Sequence, residues 1–564
     1  ITLQSESGKR DDVVIFNDYY VEPPYSDDKM NDEYGVFTFD GVDYFTLKGV
    51  TVTTTDLNYP SVIHYRNQSR HVTVDNCHIF TKRSESASAN QDIRLINQYA
   101  KNVANCNNDF PTIKNCLIEG GYIGVVIQGT SFVKLPKQKG GLVENNTFRD
   151  QGSKAFYSSS RERDLTLKGN VIENTTATKS GFYGVDVETS ENFIFEGNSV
   201  FLATAENATA VNIRGIEGTQ EKPGIITNNE ISVVCPSATS AGIKLSSASS
   251  NVNIANNTVL MSGTKNNSAF GVALWLNNTT TNVTIVNNIL VNTEGGYVYR
   301  FYKDNCIEGV TFSNNVVFTN GTGFAKSNPT TFANFTDWVA TSGEKNSFNE
   351  EVKFYSATIL TPTEAGNLQN ALPLEYVKTD KDSTFRNATK PTIGAYEYSE
   401  YADVPAYSEG YPAFGGINNS SATAELMTDI NATAFTLVKK ASEPAPSTDE
   451  LMATLNVVEL RKGKVLSLKL TGLSRQTEYK LYAILMSLNG LGVSEVIASD
   501  VFTTTFDPTE VSTFENVTTN EEGFRDGTAQ FSNFTVETIS DAVVDGDKAA
   551  KVGTNASVKL TNTD

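Results

Sequence analysis

An asparagine, directly preceded by a second asparagine or by a glycine, returns along this chain at near-regular intervals, each time between two short hydrophobic alternations. "NVNIANNTVLM" from 251, "NVTIVNNILVN" from 282 and "GVTFSNNVVFT" from 309 show the pattern. Aligned on the second residue of the pair, the copies form a column: Asn146, Asn170, Asn198, Asn229, Asn257, Asn288 and Asn315, preceded by Cys77, Cys116 and Val50. Successive spacings run from 24 to 39 residues, a period that predicts stacked structural repeats.

Two residues after the column the chain is apolar in every copy, from Val52 to Val317, and three residues before it the same holds, from Leu47 to Phe312. Alternation of period 2 on both sides predicts two short strands with one buried face. The residue just before the column is Asn or Gly throughout, the two types that most readily adopt positive φ. The reading is a left-handed corner followed by an inward asparagine. A buried amide must be hydrogen-bonded, and an identical amide one rung away, at about 4.8 Å, supplies the partner. Cys77 and Cys116 then sit inward in two early coils, as stacked free thiols rather than a disulfide.

A third strand completes each coil, as in "VIHYR" at 62, "DIRLI" at 92, "GVDVE" at 184 and "VALWL" at 272. Three short strands per turn without helical periodicity predict an all-β fold, a parallel β-helix of about ten coils over 1–400. On these residues, and on "FDGVDYFTLKGVTV", "SRHVTVDNCHIF" and the closing "PTIGAYEY" at 391, the chain resembles the right-handed parallel β-helix proteins of the pectate-lyase-like superfamily. The resemblance implies a secreted or cell-surface protein that meets polysaccharide. It also implies two chemistries: lyases that use Lys or Arg, often with calcium, on uronates, and hydrolases that use paired acids.

Beyond 400 the repeat stops. Residues 401–416, rich in Pro, Gly and Tyr, read as a linker. Short spaced strands over 417–506 suit a β-sandwich, and "LTGLSRQTEYKLYA" resembles the tyrosine-corner segment of fibronectin type III domains, with Tyr479 as the corner residue. Residues 507–564 look like the opening strands of a second sandwich, similar to carbohydrate-binding jelly rolls. The chain opens "ITLQSESG" without a methionine and reads as a processed or truncated product.

A formal charge of -20 argues against nucleic acid as a partner, and no apolar run reaches the roughly 20 residues of a membrane span. Other cell-surface proteins fit as further partners. Five cysteines without a C-x-x-C pair indicate no zinc site, and the histidines 64, 71 and 78 should diverge around one coil, so no metal and no cofactor is expected beyond the calcium the resemblance allows. Against the acidic whole, residues 60–170 hold fifteen Lys and Arg and nine Asp and Glu, a local +6 suited to a polyanionic sugar. Two long loops, from 97 and from 128, adjoin this segment.

Alternation on the third strand places a ladder of side chains outside. The expected ligand-binding residues are Arg66, Arg94, Lys134, Lys137, Lys139, Arg214, Lys244, Trp275, Arg300 and Tyr302, with Trp275 and Tyr302 as exposed rings able to stack on sugar. For catalysis the candidates are Arg94, Arg161 and Arg163 on a lyase reading, and Asp186 with Glu188 on a hydrolase reading. Those two acids stand at i and i+2, about 6.6 Å apart by strand rise, near the lower limit for an inverting pair. No known lyase motif and no polygalacturonase aspartate pattern accompanies them. The sequence therefore favours a non-catalytic surface, adhesin or structural role, with a lyase or hydrolase as the alternative.

Overall fold

Each coil turns three times, and the turns follow from backbone conformation. In the computed structural model the residue before the column has positive φ at every copy, from Gly49 (59°) and Asn76 (51°) to Asn287 (58°) and Asn314 (53°). The structure describes residues 1–18, 35–84, 93–99, 107–130, 134–159, 162–176, 181–203, 207–234, 240–263, 271–398, 403–488 and 492–505, and the backbone of Arg525–Asp526, Ala529–Thr538 and Lys548–Leu560.

From Thr46 to Ser327 every coil gives one strand to each of three parallel sheets. Sheet A holds strands such as Thr112–Lys114, sheet B strands such as Leu117–Gly120, and sheet C strands such as Ile123–Gln128. The fold is an all-β parallel helix. The residues three before the column stack in register, Ile113 on Val143, Leu167 on Phe195 and Ile254 on Ile285, and all are buried.

Inside the corner the asparagines form a continuous chain. Asn170 Nδ2 donates to Asn198 Oδ1 at 3.0 Å and to the Val143 carbonyl at 2.8 Å, while its backbone N–H donates to the same Oδ1 at 2.9 Å. The same set recurs at Asn146, Asn198, Asn229, Asn257 and Asn288. The column is closed at Asn315, whose Nδ2 reaches Glu344 Oε1 and whose N–H reaches Ser347 Oγ. At its other end the Cys116 N–H donates to Asn146 Oδ1 at 2.9 Å and the Cys77 N–H to Cys116 Sγ at 3.4 Å. Both cysteines are free thiols.

The corner asparagines have a second role. From Asn228 onward their outward amides hold the segment that follows the last coils: Asn228 bonds to Thr379 and Arg386, Asn256 to Thr392 and Gly394, Asn287 to Leu372, and Asn314 to Asn370. The helix Phe335–Ser342 covers the last coil, with Trp338 stacked at 5.0 Å on Tyr299 and fully buried.

The chain divides into two compact units, Ile1–Glu400 and Tyr401–Asp564. In the second unit, a sheet of Ala413–Gly415, Ser421–Leu426 and Leu466–Thr471 accompanies another built on Ala432–Lys440 and Glu478–Ser487, with Val457–Leu460 on one side and Ile497–Ala498 and Phe502–Thr503 on the other. Tyr479 Oη accepts the Ser474 N–H at 2.8 Å. The expected linker differs from the structure: Ala413–Gly415 pairs with Ser421–Leu426, and Phe414 stacks at 4.4 Å on Phe502, so that stretch is part of the unit's fold. Past 506 the described residues form a three-stranded antiparallel sheet.

Candidate functional site

Sheet C carries the outward chemistry, and its pairing fixes one row: Thr38, His64, Asn97, Val126, Tyr157, Asp186, Asn212, Lys244, Trp275, Arg300 and Lys326. Neighbours along it are one rung apart, about 4.8 Å.

The middle of the row is a closed polar network. Asp186 is fully buried although it points away from the core, because Lys154, Arg214 and Asn212 cover it. Lys154 Nζ lies 2.5 Å from Asp186 Oδ2, Asn212 Nδ2 2.7 Å from Oδ1, and Arg214 Nη2 3.2 Å from Oδ2. Arg214 Nη1 reaches Glu188 Oε1 at 3.0 Å, and Tyr157 Oη donates to the same oxygen at 3.4 Å. Burial alone would raise the Asp186 carboxyl, but the Lys154 and Arg214 charges and the Asn212 hydrogen bond hold it below the usual carboxylate range. Burial and the Glu188 charge push the Tyr157 phenol up.

Toward the C-terminal rungs the row changes character. Lys244 Nζ stands 4.0 Å from the Trp275 ring centre and Arg300 Cζ 4.2 Å from it, one from each adjacent rung. Among the described residues neither cation has an acidic partner or a hydrogen-bond acceptor. Burial, then the neighbouring Arg300 charge, lowers Lys244 below an ordinary lysine, and burial lowers Arg300 too. The Trp275 Nε1 N–H is buried without an acceptor. Tyr302, near this end, is 50% exposed.

Several sequence expectations need correction. Trp275 is only 9% exposed and both ring faces are taken by cations, so it offers no stacking surface. Asp186 and Glu188 are not an acid and base pair on an open strand, since both are bound to Arg214 and Asp186 stays ionised. The basic stretch is largely answered by acids from other rungs: Arg66 pairs with Asp40, Lys137 with Glu191 and Glu217, Arg163 with Glu191, and Lys154 with Asp186. Arg94 registers with Ser61 and Lys154, through Ile123, not with His64, whose true neighbour is Asn97. Lys139 and Arg163 lie on the short strands Gln138–Lys139 and Glu162–Arg163, which belong to sheet A, and Lys134 is an exposed turn residue, so none joins the sheet C row. Arg161 and residues 100–106 and 131–133 of the two long loops lie outside the described residues.

The sequence reading missed Lys154 and Tyr157, although "KAFYSS" holds both and counting outward from Tyr157 would have found them. The histidines go to three places: His64 in the outer row of sheet C, His71 between Tyr44 and Phe110 at a corner, and His78 beside Phe80 and Glu119 on sheet B.

Among the described residues no helix is long and apolar enough to cross a membrane. No curated protein matches the chain. Among solved structures, the full-length tailspike protein 2 from Escherichia coli O157:H7 bacteriophage CAB120 aligns over 84% of this chain and 65% of that one, at 10% identity and a TM-score of 0.20. This chain therefore spans slightly less than two thirds of that tailspike's length. Residues 137–337, which contain Lys154 through Arg300, match the family model described as "Right handed beta helix region", and with the pairing above the solenoid is a right-handed parallel β-helix.

Proposed function

We propose that this chain is an extracellular or cell-surface β-helix protein that binds a polysaccharide along the outer face of sheet C without cleaving it. One observation carries the reading: Lys244 and Arg300 are held partly out of water, and among the described residues neither has an ion-pair partner, the Asp186 charge acting on Lys244 only weakly. Desolvating an unpaired cation is costly, so an anionic group brought by a ligand would complete the site. Tyr302 beside them offers an exposed ring to a neutral part of the sugar. The bound state of Asp186 and Glu188 supports the non-catalytic half. An ionised, triply bonded carboxylate has no proton to give a leaving group.

The second unit reads as a spacer or a contact for other surface proteins. Its three-stranded and larger sheets and the Tyr479 bond support a fibronectin type III-like module, and the strands beyond 524 a partial jelly-roll-like one.

One observation favours a second reading, a lyase. A lysine lowered by burial and by a neighbouring arginine is more often unprotonated than an ordinary one, so Arg300 would neutralise a uronate carboxylate while Lys244 takes the proton beside it. The glycosidic C–O bond breaks to leave a double bond in the uronate, and the departing sugar oxygen is protonated from Lys244 or water.

Calorimetric titration of the full chain with uronate-containing and neutral glycans tests both, alongside assays for unsaturated uronates and new reducing ends. Binding without product supports the first reading. Unsaturated product replaces it with the second, and no binding to any glycan removes both.

A further inference from the structure

We infer that the Lys244, Trp275 and Arg300 rungs act as a ruler for a glycan that carries an anionic group on every second sugar. This rests on the glycan-binding reading of sheet C. Along the outer row, neutral and cationic rungs alternate: Asn212, Lys244, Trp275, Arg300, in register and in successive coils.

The two residues sit two rungs apart, with about 10 Å between their strands, and their charged groups, 4.0 and 4.2 Å from one ring centre, stand no more than about 8 Å apart, still nearer to two sugars than to one. Trp275 sets that spacing physically, because its ring stands between them at 4.0 and 4.2 Å and is itself buried, so neither cation can fold over onto the other's rung. An extended pyranose advances a chain by close to one rung. A polymer lying along the row with a carboxylate or sulfate on alternate sugars therefore meets Lys244 and Arg300 together, and its neutral sugar falls over Trp275.

A polymer charged at every sugar is served less well. It would set one anion over Trp275, where no donor faces outward, and another over Asn212, beside the ionised Asp186 that Asn212 itself contacts. Lys326, one rung past Arg300, is a further cation whose Nζ donates to Thr331 Oγ1 at 3.0 Å, so the alternation runs from Asn212 to Arg300 and ends there. The ruler is thus set by the coil spacing and by which rungs carry charge. Lys supplies a point charge at one mark and Arg a planar fork at the other, and both carboxylate and sulfate satisfy them.

The test uses the full chain and four probes of equal length at one salt concentration. Hyaluronan oligosaccharides carry a carboxylate on alternate sugars, and keratan sulfate oligosaccharides sulfated only on the hexosamine carry a sulfate on alternate sugars. Oligogalacturonate carries a carboxylate on every sugar, and isomaltooligosaccharides are neutral. Alternating probes should bind about tenfold more tightly than oligogalacturonate, and Lys244→Gln or Arg300→Gln should each cost about tenfold on the alternating probes. Preference between hyaluronan and the keratan sulfate sulfated only on the hexosamine identifies the anion. Trp275→Lys, which places a cation on the middle rung, should narrow the preference.

Equal or tighter binding of oligogalacturonate by the native protein overturns the ruler and leaves the glycan-binding reading standing, whatever the folding of the tryptophan variant. Binding of the neutral probe alone does the same. If none of the four binds, the reading itself falls and the ruler with it.

Discussion

Two polar columns run along the same solenoid, one inside its wall and one outside, and they differ in completeness. In the inner column every asparagine amide has its partners, with each Nδ2 from Asn146 to Asn288 shared between the next rung's Oδ1 and a carbonyl of the rung before, and that of Asn315 reaching Glu344. In the outer row of sheet C the middle is equally complete, around Asp186, but among the described residues the far end leaves Lys244 and Arg300 without an acid and the Trp275 N–H without an acceptor. A stacked repeat can satisfy its interior by repetition alone, because each rung presents the next with an identical group. Its exterior is free to vary from rung to rung. What is left unmatched there points to a partner from outside.

The sharpest way to break the comparison is to interrupt the inner column. Asn229→Ala removes the oxygen that accepts both the backbone N–H and the Nδ2 of Asn198, and the donor to the Phe195 carbonyl. With several buried groups orphaned at once, a loss of about 4 kcal/mol is expected from denaturant unfolding. A loss below about 1 kcal/mol, the size of a surface change, would mean the column is not what holds the corner together.

That column was also the most legible part of the chain. Asparagine recurred at one place in seven successive coils, after Val50, Cys77 and Cys116, and the residue before it was always Asn or Gly, now seen at positive φ in each copy. The docking of the later segment onto Asn228, Asn256, Asn287 and Asn314 was not legible, since Asn and Gly serve the corner equally well and only the structure shows where the amide is used. The outer row was harder still. Sheet C strands place two successive residues inward, Val62 with Ile63, Leu95 with Ile96, Ala155 with Phe156, all fully buried. That breaks the period of 2, so simple alternation put Arg94 where Asn97 belongs. Counting charge along 60–170 misled for a related reason. The acids that answer it, Asp40, Asp186, Glu191 and Glu217, are rung neighbours that lie outside that stretch.

The next effect in size belongs to His64, the buried imidazole near the start of the outer row. Burial, then the Arg66 and Arg94 charges, lowers it from 6.5 to about 4, with Asp40 opposing weakly. Above pH 6.5 it is neutral folded or unfolded, and no stability is at stake. As pH falls from 6.5 toward 4 the unfolded chain takes up a proton the fold refuses, and stability drops by about 3 kcal/mol across that window. His64→Gln should flatten that part of the curve of unfolding midpoint against pH. An unchanged slope would place the acid sensitivity elsewhere.

Lys154→Met probes the complete middle of the row. It leaves Asp186 buried with Arg214 as its remaining charged partner, and a loss of about 2 kcal/mol at neutral pH follows. The Asp186 carboxyl should also rise. Its depressed value contributes stability above the ordinary aspartate range that is lost as pH falls, so the variant's deficit should shrink in acid. A deficit independent of pH would indicate lost packing against Tyr157, 4.0 Å from the Lys154 ammonium, rather than lost charge.

Lys244→Gln should do least, and with the opposite sign. An ion-paired lysine is raised and stabilises the fold in its charged form. Lys244 is lowered, first by burial and then by Arg300, so its charged form is disfavoured in the fold, and stability rises as pH climbs from its lowered value toward the unfolded one. Because the ammonium is still partly wet, solvent screening limits the effect, and the neutral variant should match or exceed the native protein at pH 7 by less than about 1 kcal/mol. Unfolding without glycan measures this. A clear destabilisation would mean that Lys244 is matched within the protein after all, and the outer row would then be as complete as the inner column, with nothing left over for a ligand.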